Sequence, residues 1–155
     1  MKVESLRQAW DRLDQRAVRF MATEGIRLLR IALGIVFVWF GLLKVIGQSP
    51  VEDLVASTVF LFLPEFFVPF LGAWEIAIGL GLLFRLVLRL TLLLLWLQMF
   101  GTFSVLVVQP DLAFQGRNPF LLTTEGEFVI KNLVLIAGGL VVGSTLRNTT
   151  VRPKE

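Results

Sequence analysis

EFFVPFLGAWEIAIGLGLLFR, residues 65–85, decides what kind of molecule this is. Nineteen residues lie between its terminal charges, and all but Glu75, the tenth of them, are apolar, glycine or proline. A helix of about 20 residues crosses the ~30 Å hydrocarbon core of a bilayer. The stretch therefore fits a membrane span with a carboxylate at its centre, and whatever stabilises that carboxylate must come from elsewhere in the chain.

The rest of the chain agrees with that solvent. Of 155 residues 55% are hydrophobic and 17% charged, with a mean hydropathy of +0.77, too apolar for an ordinary soluble domain. The apolar residues fall in four runs of span length, roughly 25–47, 66–84, 90–108 and 128–146. These predict an all-α fold: one integral membrane four-helix bundle at 25–147, no separate soluble domain, and a short tail at 148–155.

Cys, His and Tyr are absent. Structural disulfides, thiol redox chemistry, haem held by His or Cys, iron–sulfur clusters and the usual zinc sites are thereby excluded. Chemistry must use the remaining polar side chains or be supplied by a cofactor or partner. With no nucleophile–base pair, metal-ligand set or nucleotide loop, an enzyme acting on its own is not expected.

Positive charge is distributed unevenly about the spans. Lys2, Arg7, Arg12, Arg16, Arg19, Arg27 and Arg30 precede or open the first, Arg85 and Arg89 lie between the second and third, and Arg147, Arg152 and Lys154 follow the last. The opposite side has only Lys44, Arg117 and Lys131. Both termini are therefore expected in the cytoplasm. The net charge of +3 and pI near 10.0 then express topology and attraction to anionic lipid, and nucleic acid is not an expected partner.

Two further elements do not span. In residues 1–24, Val3, Leu6, Trp10, Leu13, Ala17 and Phe20 recur at spacings of three and four and form one helical stripe. This predicts an amphipathic helix lying in the cytoplasmic interface, or else a docking helix for a soluble partner. In QSPVEDLVASTVFLFLP, residues 48–64, Ser49, Pro50 and Glu52 form a helix start and Pro64 an end. Its apolar run at 54–63 is too short to cross, so a short external interfacial or re-entrant helix is expected. Thr124 and Glu127 read as a capping box opening the fourth span, and Gly116 and Asn118-Pro119 mark turns in the preceding external loop.

Helical periodicity then provides neighbours for Glu75. Gly72, Glu75 and Gly79 share a face of the second span, Gly34, Gly41 and Lys44 a face of the first, Gln98, Gly101 and Thr102 a face of the third, and Lys131 and Gly138 a face of the fourth. Glycine on such faces lets backbones approach. The depths are compatible with a central polar cluster of Lys44, Glu75, Gln98 and Lys131, in which Glu75 is paired or protonated. The competing reading has Lys44 and Lys131 snorkelling to the external interface, Lys131 answering Glu127, and Glu75 serving only to join helices. Trp39, Trp74 and Trp96 lie inside their spans, either as packing or as a pocket lining for a flat ligand such as a quinone.

RIALGIVFVWFGLLK, residues 30–44, resembles the first helix of DoxX-like membrane proteins, in which an Arg, a Leu-Gly pair, a Gly and a Lys recur at such spacings. WEIAIGLGLLFR resembles their second helix, with its intramembrane Glu and following Arg. EGEFVIKNLVLIAGGL is similar to the last helix of the YkgB or RclC branch, associated with resistance to reactive chlorine, although only residues 45–48 separate Lys44 from Ser49-Pro50, a shorter link than that branch carries. The resemblance implies a four-helix bundle tied to redox or oxidative-stress physiology: a small non-catalytic subunit or scaffold beside a soluble or membrane redox partner. The alternatives are an assembly, chaperone or lipid-binding membrane protein and, last, a small transporter or proton path. No cofactor is required on this reading, a quinone fits it, and homo-oligomers are compatible with it.

Overall fold

A computed structural model describes residues 2–49 and 64–146, and the described chain is helical apart from loops and an isolated bridge between Phe114 and Leu122. Helix α1 is Lys2–Val45, α2 Pro64–Phe84, α3 Leu88–Val108, α4 the single turn Pro110–Ala113, α5 Thr124–Lys131 and α6 Leu133–Ser144. Four stretches are long and apolar enough to cross a bilayer: Trp10–Val45, Glu65–Phe84, Leu88–Val108 and Thr124–Ser144, the last formed by α5 and α6 together. Outward residues such as Ile35, Phe66, Leu93, Leu97 and Leu140 are exposed on all of them. A surface this apolar is unsuited to water and matched to lipid, so the molecule is a multi-pass membrane protein.

The helices run alternately up and down. Gly34 lies against Gly79, and Gly41 against Gly72, which pairs α1 with α2 antiparallel. Gly138 of α6 meets Leu33 and Leu29 of α1, while Gly139 and Gly143 meet Leu95, Trp96 and Leu92 of α3. Leu33, Phe37, Ile78, Leu82, Leu92, Leu95, Met99 and Val142 fill the interior.

Two sequence expectations change here. The predicted boundary between an interfacial helix at 1–24 and a span at 25–47 is absent, because α1 is one helix of 44 residues, about 66 Å long at 1.5 Å per residue. A lone Gly25 costs a helix only about 1 kcal/mol, and no proline or cap interrupts the sequence around it. The arm continues into the first span as one helix, and Trp10, Leu13 and Phe20 are exposed on it. The fourth span begins earlier than predicted, and its N-cap is Thr123, whose hydroxyl accepts from Gly126 N at 3.0 Å. Thr124 is the first helical residue, so its pairing with Glu127 as a capping box does not form. The expected short helix at 50–63 and the tail at 148–155 lie outside the described residues.

Candidate functional site

The site begins with how α1 ends. Gly47 takes a positive φ of 66°, Gln48 N donates to Leu43 O at 2.8 Å and Gly47 N to Lys44 O at 3.3 Å. This pair of bonds is a Schellman stop, which a glycine at that position allows without strain. The last turn of α1 is thus held against α2, with Lys44 on the inner side.

Glycine then sets the approach. A methyl on Gly41 would stand 2.5 Å from Gly72 O, and one on Gly72 would stand 2.9 Å from Lys44 Cβ. Because neither exists, the backbones touch and the Lys44 stem passes down the face of α2 toward Glu75. Lys44 Nζ donates to Glu75 Oε2 at 2.8 Å and to Oε1 at 3.0 Å. Gln98 Nε2 donates to Glu75 Oε1 at 2.5 Å from α3. Lys44 and Glu75 are buried at 6% and 7% exposure, so the charges are paired away from solvent.

This arrangement accounts for the amide. If Gln98 were turned over, its carbonyl oxygen would face a carboxylate oxygen already accepting from Lys44, and two acceptors would oppose each other. In the orientation found, Gln98 Oε1 is the atom left buried with no hydrogen-bond partner. Thr102 does not reach it; its hydroxyl donates to Gln98 O at 3.1 Å. Lys44, with three N–H donors, directs two bonds at Glu75. A buried ion pair thus stands beside an unused acceptor.

Three of the four expected cluster residues, Lys44, Glu75 and Gln98, are brought together; Lys131 is not. Its side chain is 72% exposed and pairs with Glu127 Oε2 at 3.1 Å, the i, i+4 partner of the competing reading. A tight turn at Asn132 separates α5 from α6. Asn132 N bonds back to Val129 O at 3.1 Å and Leu135 N to Asn132 O at 3.0 Å. Such i to i−3 bonds overwind a helix, turning each residue through about 120° where an α-helix turns it through about 100°. Over the seven residues from Lys131 to Gly138 this adds only about 20–60° of rotation, which keeps the two on one side of the helix; Lys131 is the last residue of α5 and its side chain turns outward to Glu127.

The tryptophans do not line the cluster. Trp39 is 64% exposed on the outer side of α1. Trp74 packs on Phe70 with ring centroids 6.0 Å apart and donates its indole N–H to Leu94 O at 3.3 Å, which ties α2 to α3. Trp96 lines an open apolar groove of about 400 Å³ with Met99, Phe100, Phe103, Ile136 and Leu140, and no member of the cluster belongs to that lining.

Besides the Trp74 bond to Leu94 O, a second polar contact between spans was not foreseen. Arg30 of α1 donates through Nη1 to Leu83 O at 2.8 Å and to Leu82 O, carbonyls of the last turn of α2. The sequence marked Arg30 only as part of the charge asymmetry and as the opening of the first DoxX-like motif.

Set against known proteins, the chain matches no family model, no curated protein and no solved structure. The likeness to DoxX-like proteins rests on the motifs quoted above.

Proposed function

We propose that this is a DoxX-like protein of a bacterial inner membrane, a small non-catalytic subunit or scaffold of a redox or oxidative-stress system, in which the Lys44–Glu75–Gln98 cluster receives the polar head of a small ligand. One observation carries the reading: Gln98 Oε1 is buried without a partner beside a fully paired carboxylate. A buried acceptor left unmade costs about 1–3 kcal/mol, so the position favours something that donates to it. A quinone fits the chemistry, since its carbonyl can accept the third Lys44 N–H and the hydroxyl of its reduced form can donate to Gln98 Oε1. On this reading Lys44 and Gln98 orient the ligand, Glu75 holds Lys44 charged, and electrons come from and go to a partner protein.

The experiment is purification in native lipid followed by mass spectrometry of the small molecules retained, for the native chain and for Gln98→Leu. The expected result is a co-purifying molecule with adjacent donor and acceptor oxygens, lost from the variant while the fold persists. Equal retention by both proteins, or a native protein carrying only bilayer lipid, overturns the reading.

A second reading, an assembly or docking protein, draws on the N-terminal arm. Trp10, Leu13 and Phe20 are exposed on a helix coaxial with the first span, which is the form of a surface met by another helix. Deleting residues 2–20 separates the two: loss of the associated protein with retention of the small molecule favours docking by the arm, and the reverse favours the cluster.

A further inference from the structure

Arg30 is half-buried, and its two acceptors, Leu82 O and Leu83 O, are neutral carbonyls. Its charge is not neutralised by them. Arg27 and Arg85 stand near enough for their own positive charges to act on it. Arg85 opens the α2–α3 turn at a φ of 56°, and Arg89 follows in the first turn of α3. Neither makes an ion pair or hydrogen bond among the described residues.

The carboxylates that could answer this charge are few. No Asp or Glu occurs between Glu75 and Asp111, nor between Glu127 and the end of α6. On α1, Glu24 lies 3.7 Å from Arg27, both side chains in solvent. At this end of the bundle the guanidinium groups of Arg27, Arg30 and Arg85 lie near enough to act on one another, and Arg89 stands four residues on from Arg85, in the first turn of α3. The charge asymmetry assigns that end to the cytoplasmic side, where anionic lipid attracts basic residues.

We propose that Arg30, Arg85 and Arg89, with Arg27 at the rim, form a binding site for the phosphate of an anionic phospholipid headgroup. Guanidinium is the group suited to it, because its planar fork matches phosphate oxygens two at a time and it stays charged when partly desolvated. Arg30 is the fixed member, since its bonds to the end of α2 hold it in place. Arg85 and Arg89 are the free members that close on the headgroup. The lipid thereby neutralises the junction that joins the second and third spans. This inference stands apart from the ligand of the Lys44–Glu75–Gln98 cluster.

The test is native mass spectrometry of the full chain released from nanodiscs of mixed phosphatidylglycerol and phosphatidylcholine, reading the ratio of the two lipids retained. The native protein should retain phosphatidylglycerol above its share of the bilayer. Each arginine near an anionic surface contributes a factor of about five, so Arg85→Gln with Arg89→Gln should lower the enrichment roughly 25-fold, and Arg89→Gln alone about fivefold. Lys131→Gln, at the opposite end of the bundle, should leave the enrichment unchanged. The single Arg89 variant serves where the double variant does not fold. An unchanged ratio in the Arg variants, or an equal fall in Lys131→Gln, overturns the proposal. A melting-temperature rise in detergent from inorganic phosphate alone, as large as that from phosphatidylglycerol, also overturns it in favour of a free-phosphate site.

Discussion

Lys44 and Glu75 form a two-pronged ion pair, 2.8 and 3.0 Å, between the last turn of α1 and the middle of α2. The pair explains how a carboxylate is tolerated at the centre of a membrane span. Opposite charges brought together in low dielectric recover part of what desolvation costs, and Gln98 adds a further bond to the carboxylate. A pair of this kind is weak evidence for net stability and strong evidence that neither partner can be removed alone.

Glu75→Gln should therefore leave the Lys44 charge buried without its partner and destabilise the fold by about 3–5 kcal/mol. Lys44→Met added to it removes the remaining charge and should recover most of the loss. Thermal unfolding in detergent measures both, and a Glu75→Gln protein as stable as the native chain would mean that the carboxylate carries no charge to lose. Under the redox reading, the folded double variant should fail to support survival of oxidative stress; full survival would confine Glu75 to a structural role.

Lys131→Met is the matched control. Its ion pair with Glu127 is exposed at both ends, and such pairs contribute about 0–1 kcal/mol. Stability within experimental error of the native protein is expected, and a loss comparable with that of Lys44→Met would place Lys131 in the cluster after all.

Gly41→Ala tests the approach of α1 to α2. The added methyl would meet Gly72 O at 2.5 Å and Ile76 N at 2.9 Å, both backbone atoms that can yield only if the helices separate. Overpacking of this sort costs about 1–3 kcal/mol. Gly101→Ala has nothing within 4 Å and should be neutral or stabilising, by up to about 1 kcal/mol from helix propensity. Equal melting temperatures for the two variants would refute the close pairing of the glycine faces.

The loop between α3 and α5 makes a prediction about pH. Arg117 donates to Asp111 at 2.7 and 2.8 Å, and those bonds hold the Asp111 carboxyl below its usual range. A depressed folded-state pKa contributes order that is present above the unfolded value near about 3.9 and is lost as pH falls through the folded value. Carboxyl NMR in micelles should show the Asp111 midpoint rising in Arg117→Gln. Both side chains are well exposed, so global stability should hardly move.

Topology follows from the charges and from an even number of spans. A reporter fused after Glu155 and another fused before Met1 should both be active only in the cytoplasm, and an active periplasmic fusion at either end would reverse the orientation.

The sequence by itself determined the solvent, the number of spans and the inward faces of the first two, and of the third at Gln98 and Thr102 but not at Gly101, which is exposed with nothing within 4 Å. Runs of about 20 apolar residues have one inexpensive environment, and within a regular helix a period of 3.6 places Lys44 with Gly41, Glu75 with Gly72, and Gln98 with Thr102. Periodicity does not say which partner a long side chain takes, and Lys131, at the end of α5, pairs outward with Glu127 despite its spacing to Gly138. It also names a face without naming what lies opposite. Whether Trp39 and Trp96 line a pocket depends on which neighbour stands beside each helix, and packing placed them on lipid and on the apolar groove. Whether the arm lies flat depends on one unbroken run of backbone bonds through Gly25. Arg30 meets carbonyls 52 and 53 residues away, a contact decided only when the glycine faces bring α1 and α2 together, because their closeness sets the register that carries the guanidinium to the end of α2.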